Sequence, residues 1–301
     1  MATHLCRNIG SLCTKNRYRF LCPIHGVFVQ PAASSVTVYE IDRKSGYDPK
    51  RPKKSMPTMI KEGIKMIYTE SLRFKQEVIE KFSCDGYYVI EHGDYEYFWK
   101  FNGKASLDPW IVTADQDHNE GSSSCNLTVS KNNKALFHGY LSSDVPKDGV
   151  IKRAGYVNLR SPFNMKSFHR IISYDWSRYT HLYLKVRGDG RTYMVTLNMN
   201  HYFDILWNDQ YQFPLHTRGG PYWQITKIPF SKFFLTHKGR VQDKQCPIPQ
   251  NNIRFLSITL ADNIDGPFSL EIDYIGLVLD TNHDEEFAYE MYQAEPSHVG
   301  F

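Results

Sequence analysis

Residues 182–197 read LYLKVRGDGRTYMVTL. Leu182, Leu184 and Val186 alternate with Tyr183, Lys185 and Arg187, and Tyr193, Val195 and Leu197 alternate with Met194 and Thr196. Period-two alternation bounded by turn residues marks two half-buried strands. Gly188 and Gly190 permit positive φ and Asp189 tolerates it, so the chain can reverse tightly between them. This predicts a hairpin of neighbouring strands at the centre of a β-sandwich. The turn Gly188, Asp189, Gly190 and Arg191 is assigned a structural role, with Asp189 and Arg191 fixing the reversal.

Working outward, short apolar or aromatic runs recur at 95–101, 110–112, 126–129, 135–140, 155–160, 210–213, 222–228, 253–260 and 268–279. Gly, Asn, Asp and Pro separate them, the signature of an antiparallel sandwich or jelly roll over 95–280. Aromatic residues make up 14 % of the chain, which suits pleated surfaces. Before the strands, Ile60, Ile64, Ile67, Phe74, Val78 and Phe82 recur at spacings of three, four or seven. They predict an amphipathic helix over 57–82 within an N-terminal extension at 56–94. Its stripe is expected to pack on the chain's own domain; the alternative is a helix offered to a partner.

The charge of +4 is unevenly placed. Arg7, Lys15, Arg17 and Arg19 all precede the first acidic residue, Glu40; setting those four aside leaves 32 basic residues against 32 acidic ones. A nucleic-acid binder would keep a basic face on its domain, so that class loses support. Residues 1–30 are basic, free of acids and hold hydroxyl and apolar residues, the composition of a mitochondrial transit peptide. Residues 31–55, with Pro, Gly and a Lys/Arg cluster, are expected to be a disordered linker. The tail over 281–301 is acidic and is expected to form a short helix near 287–291 or to fray. No apolar run is long enough to cross a membrane as a helix.

A search for chemistry finds little. The six cysteines form no CxxC spacing, which argues against a disulfide framework or a zinc site and suits a reducing compartment. The histidines lie singly, without HExxH. Neither GxSxG nor GxxxxGK[ST] occurs, and the Gly188–Gly190 spacing is not GxGxxG. No catalytic residue, metal or cofactor is therefore expected. Trp207, Tyr222 and Trp223 lie among Asp, Asn, Arg and Gly. Aromatics so placed on sandwich loops anchor protein interfaces or stack sugars, and these three are the partner-binding candidates.

The order of several motifs resembles the complex I intermediate-associated protein of 30 kDa family. Trp110, Asp115 and Gly121-Ser122-Ser123 are similar to its opening W-x-V-x-x-D…G-x-S. Residues 135–142, ALFHGYLS, resemble its A-x-F-x-G-x-L-S strand, and residues 187–193, RGDGRTY, its R-G-D-G-x-x-Y turn. Ile228-Pro229-Phe230, Phe233-Phe234 and residues 272–275, IDYI, resemble its closing strands. The chain departs from the family at Glu120-Gly121, where a Gly-Gly pair is usual.

The resemblance implies a galactose-binding-domain-like jelly-roll sandwich with no catalysis. It also implies a place in the mitochondrial matrix, peripheral to the inner membrane. There such a protein stabilises membrane-arm intermediates of respiratory complex I together with other assembly factors. The rival readings are a carbohydrate- or small-ligand-binding module on the same sandwich, and an enzyme with a deep pocket holding two convergent titratable groups.

Overall fold

The computed structural model describes residues 55–83, 90–147, 149, 151, 153–200 and 208–289. The expected leader, most of the linker, the end of the acidic tail and Trp207 lie outside the described residues. So do Cys6, Cys13, Cys22 and Cys84.

Among the described residues, one α-helix, α1 (Met56–Ser83), precedes fifteen strands. In chain order these are β1 (Tyr95–Lys100), β2 (Ile111–Ala114), β3 (Ser124–Val129), β4 (Ala135–Leu141) and β5 (Val157–Arg160). Then come β6 (Asn164–Lys166), β7 (Arg170–Ile172), β8 (His181–Arg187), β9 (Thr192–Met199) and β10 (Asp209–His216). β11 (Gln224–Pro229), β12 (Phe234–His237), β13 (Arg240–Val241), β14 (Ile253–Leu260) and β15 (Gly266–Val278) complete the order.

Two antiparallel sheets carry the fold. The six-stranded sheet runs β11-β8-β15-β4-β3, with β1 also paired to β15. The seven-stranded sheet runs β13-β12-β10-β9-β14-β5-β2, and β6 with β7 forms a separate ribbon. The inward sets of both sheets meet in one core, which includes Phe137, Leu184, Tyr193, Val195, Leu256 and Ile275, all fully buried. Alternation works here as elementary geometry dictates: successive side chains leave a strand on opposite sides, and the apolar set is removed from water. The result is the all-β jelly-roll sandwich with an N-terminal helix that the sequence leads one to expect.

One local expectation fails. β8 and β9 are not a hairpin: β8 pairs with β11 and β15, whereas β9 pairs with β10 and β14. The glycine-rich turn carries the chain across the core from β8, next to the edge of one sheet, to β9, at the middle of the other. Alternation reports which side of a strand is dry, and it is identical for a hairpin and for such an arch. Two facts about the turn explain its glycines. A Cβ at Gly188 would collide with the side chain of Thr217, so the chain there lies directly on the residue after β10. Gly190 sits at φ +97°, a conformation that L side chains rarely adopt.

The helix forms where its period of 3.6 places it, with Pro57 in the first turn, where a missing N–H costs nothing. It docks not by the centre of the expected stripe but by its edge: Phe74 of the stripe and the neighbouring acids Glu70 and Glu77. Glu70 accepts from the Phe168 N–H at 2.8 Å and Glu77 from the Ser167 N–H at 2.5 Å. Arg170 pairs with Glu77 at 2.5 Å, and the Phe74 and Phe168 rings meet at 6.1 Å. Ile60, Ile64 and Ile67 stay more than half exposed, at 57, 64 and 61 %. The carboxylates hold the helix because the β6–β7 reversal presents unpaired backbone N–H groups, which a buried acceptor satisfies.

The tail over 281–289 is neither helical nor frayed. Ser231 Oγ donates to Glu285 at 2.8 Å, the Ala288 N–H to the Ser231 carbonyl at 3.1 Å, and Tyr289 OH to the Lys232 carbonyl at 2.8 Å.

Candidate functional site

The outer face of the six-stranded sheet gathers a cluster of aromatic and charged side chains. With Leu184 and Val186 committed to the core, Tyr183, Lys185 and Arg187 of β8 must face outward. On β15 the register shifts between Ile272 and Tyr274. The extra residue turns Asp273 and Tyr274 toward the same outer face that holds Glu271.

The aromatic residues run in a chain. Tyr95 and Tyr97 meet edge-on at 5.1 Å, Tyr97 and Tyr274 at 4.7 Å, and Tyr274 lies 5.6 Å from Tyr183. Lys185 Nζ sits 5.9 Å from the Tyr274 ring and 5.4 Å from the Trp223 ring, and the Arg187 guanidinium lies 5.4 Å from Trp223 as well. Such cation–π contacts hold an indole flat against a sheet.

The two carboxylates here are committed. Asp273 takes Lys134 at 2.6 Å and Lys185 at 2.9 Å. Burial by itself would raise Asp273, but bonds from the two ammonium groups and their charges outweigh it and hold the carboxyl below the usual carboxylate range. Glu271, buried, accepts from Arg187, Ser130 and Asn132. Neither acid is left to act as a general base.

At the β11 end lies an open depression of about 620 Å³ lined by His216, Thr217, Arg218, Trp223, Gln224 and Ile225. One of the predicted partner residues, Trp223, lines it, and Tyr222 precedes Trp223 in the chain. Tyr222 is 72 % exposed, whereas Trp223 is half-buried under its two cations. Trp207, the third, lies outside the described residues.

The turn flanks this depression. Asp189 accepts from the Arg191 N–H at 3.0 Å, the Ser269 N–H at 2.8 Å and Tyr193 OH at 3.3 Å. Thr217 Oγ accepts from the Gly190 N–H at 3.1 Å and donates to the Arg191 carbonyl at 2.7 Å. Arg191 pairs with Asp262 at 3.0 Å and donates to the Ile264 carbonyl. Every charged group of the turn is thus occupied within the chain.

The spacing motif W-x-V-x-x-D…G-x-S hides a residue whose position sequence reasoning did not reach. Asp115 is completely buried. It accepts from the Ser123 N–H at 2.7 Å, Ser123 Oγ at 3.0 Å and the Gly155 N–H at 2.8 Å. Asp115 follows β2 and Gly155 precedes β5, both in the seven-stranded sheet; Ser123 precedes β3 in the other. One carboxylate therefore clips the two sheets together. The spacing was the available signal; its meaning required the third dimension.

Among the described residues, no group of three or more His, Cys, Asp or Glu is placed to hold a metal ion. His138, His216 and His237 bond Thr128, Thr192 and Asp209. His181 and His283 meet at 4.7 Å, a pairing that their separation in sequence conceals. Burial, followed by nearby Asp117, pushes the Cys125 thiol up to about 12, so it remains protonated at neutral pH. No described helix is long and apolar enough to cross a membrane.

Comparison with known proteins follows this geometry. The family model described as complex I intermediate-associated protein 30 matches residues 99–272. A Drosophila melanogaster protein named complex I intermediate-associated protein 30, mitochondrial, is 49 % identical over 259 residues, covering 85 % of this chain and 88 % of its own. A Mus musculus protein of the same name is 49 % identical over 193 residues, 64 % of this chain and 58 % of its own. A Caenorhabditis elegans protein, named as a probable member, is 41 % identical over 244 residues, 80 % of this chain and 69 % of its own. Among solved structures, a family 11 carbohydrate-binding module from Clostridium thermocellum, in complex with a mixed-linked tetrasaccharide, aligns with a TM-score of 0.43 at 17 % identity. It covers 64 % of this chain and 99 % of that one.

Proposed function

This chain belongs to the complex I intermediate-associated protein 30 family, and from that premise we propose that it is a non-enzymatic assembly factor of mitochondrial respiratory complex I. It binds and stabilises membrane-arm intermediates in company with other assembly factors, in the matrix and peripheral to the inner membrane. The observation that carries the reading is the family match across the sandwich, from β1 into β15.

The surfaces agree with binding in preference to turnover. Glu271 and Asp273 are spent on ion pairs, the depression lined by Trp223 is open, and Tyr222, next to Trp223 in the chain, is exposed. The helix α1 presents Ile60, Ile64 and Ile67 to solvent, a stripe of the kind that partners cover. An assembly factor acts by differential affinity: it covers surfaces of an intermediate and gives way when the native neighbour binds more tightly. Tyr222, Trp223 and Trp207, together with α1, are the assigned contacts.

The test is affinity capture of the full chain from mitochondria. Complex I subunits and assembly factors are expected in the eluate of the wild-type chain, depleted with Tyr222→Ala and Trp223→Ala. An eluate free of complex I subunits and assembly factors would sink this reading.

A further inference from the structure

Two arginines on the outer face of the seven-stranded sheet lack the counter-charge that the other well-held arginines have. Arg73, Arg170, Arg187 and Arg191 each meet a carboxylate. Arg160 and Arg254 form no ion pair or hydrogen bond through their guanidinium groups with any described residue, and the Nε of each is buried without a partner.

The local sequence brings them together. Val157 and Leu159 point into the core, so Arg160 at the end of β5 points out. The register of β14 against β9 shifts between Ile253 and Phe255, and this bulge re-aims Arg254. Both meet the same ring: the Arg160 guanidinium lies 4.5 Å and that of Arg254 5.2 Å from the centre of Phe163. Phe255 adds a second wall, 5.3 Å from Arg160 and 5.7 Å from Phe163. The floor is anchored. Ser161 exchanges bonds with the backbone of Leu256, its N–H donating at 2.8 Å and its Oγ accepting at 3.0 Å. Tyr174 OH donates to the Pro162 carbonyl at 3.1 Å.

This arrangement is costly when empty. Burial, and then the like charge of Arg254, press the Arg160 guanidinium below its usual range. Two half-buried positive charges held side by side on aromatic rings call for negative charge between them. Rigid guanidinium forks match the oxygens of phosphate and carboxylate. A single carboxylate answers one of the two charges, whereas a phosphate monoester carries about −1.5 to −2 at neutral pH and answers both.

We propose that Arg160 and Arg254, floored by Phe163 and Phe255, form a binding site for a phosphate-class oxyanion, either free in solution or as a phosphomonoester lipid headgroup. The site shares no lining residue with the depression that holds Trp223. Met165 and Ile171 of the β6–β7 ribbon, which follows Phe163, are exposed and apolar, which suits a headgroup accompanied by its lipid surface.

The experiment uses the full chain with two probes: inorganic phosphate against chloride at matched ionic strength, and phosphatidylcholine vesicles with and without phosphatidic acid. Phosphate is expected to raise the Tm of the wild-type chain by roughly 5 °C at about a hundredfold excess over Kd, or the vesicles to retain the chain only when they carry phosphatidic acid. The first result identifies a soluble phosphate site and the second a headgroup site; either supports the shared chemistry.

Arg160→Met and Arg254→Met should abolish the response, and Arg160→Met without phosphate should melt no lower than the wild type, because a repelling charge has gone. If a Met variant does not fold, Arg160→Lys and Arg254→Lys keep charge and stem and should bind about tenfold more weakly for want of the fork. A wild-type chain indifferent to both probes overturns the assignment. So does a response that persists in both Met variants or is unchanged in both Lys variants. Indifference to phosphate and vesicles, combined with loss of captured protein in the Met variants, would give the arginines to an acidic protein partner instead.

Discussion

Replacing Asp115 with alanine tests the clip between the sheets most directly. The carboxylate accepts three hydrogen bonds, from Ser123 N–H, Ser123 Oγ and Gly155 N–H, at a fully buried position. Ser123 Oγ has a substitute, because the Ser142 carbonyl lies 3.1 Å away and can take its proton. The two backbone N–H groups have none. An orphaned buried donor costs about 1–3 kcal/mol, and a bond to a charged acceptor sits at the upper end of that range. Asp115→Ala should therefore lose about 3–6 kcal/mol, a large share of the roughly 5–15 kcal/mol that domains possess.

Asp115→Asn gives a finer test. One amide oxygen can still serve Ser123 N–H, while the NH2 group must face the Gly155 N–H. The expected loss is about 2–3 kcal/mol, from one unsatisfied donor and the repulsion of two donors. Urea denaturation followed by circular dichroism reads both variants, with the midpoint lowered and the slope m unchanged. A loss below about 1 kcal/mol for Asp115→Ala would refute the reasoning, because a buried carboxylate with two irreplaceable donors cannot be that cheap to remove.

Three other outcomes follow from the geometry. Gly190→Val should cost about 1–3 kcal/mol through its positive φ, and Gly188→Ala should also lower Tm by meeting Thr217; an unaltered Tm in both would reject a structural role for the turn. The carboxyl of Asp273 is held below its ordinary value of about 3.9, so its stabilisation is fully present above that pH and disappears as pH falls through the depressed value. The stability gap between the wild type and Asp273→Asn should accordingly narrow on acidification in chemical denaturation, and a gap that widens would reverse the assigned sign. Tyr222→Ala should change stability by less than about 0.5 kcal/mol, as exposed sites do, while Trp223→Ala should also lower Tm by releasing Lys185 and Arg187; thermal melts separate this loss from any loss of captured partners.

How far the sequence reached depended on the kind of question. Leu182, Leu184 and Val186 were readable as a dry face because alternation is a local property. Which strand lies beside β8 was not, because the pairing with β11 and β15 depends on residues some 40 and 85 positions away in the chain, and no local rule encodes it. The helix was located by its period, but nothing in that period separates Glu70 and Glu77 from ordinary solvent-facing acids. Their partners are backbone N–H groups of the β6–β7 reversal, which is built on positive φ at Phe168 and His169 with no glycine to announce it.

The candidate site was legible in part. Tyr222 and Trp223 stood out by composition, and the structure sets Trp223 in the wall of an open depression and leaves Tyr222 exposed. Tyr97, Tyr183 and Tyr274 were scattered over the chain and are joined only by strand pairing. Arg160 and Arg254 gave no signal, since their juxtaposition needs both the β5–β14 pairing and a bulge.

The position of β15 bears on how this chain comes to exist as a folded body. The last strand in sequence is the hub of its sheet, with β8 on one side and β4 and β1 on the other. Until residues 266–278 leave the ribosome, β1 and β4 have no common neighbour and the six-stranded sheet has no middle. Contacts of such long sequence separation form slowly. A nonsense change before Gly266 would therefore leave β8, β4 and β1 without the strand that joins them, although most of the chain would already have been made.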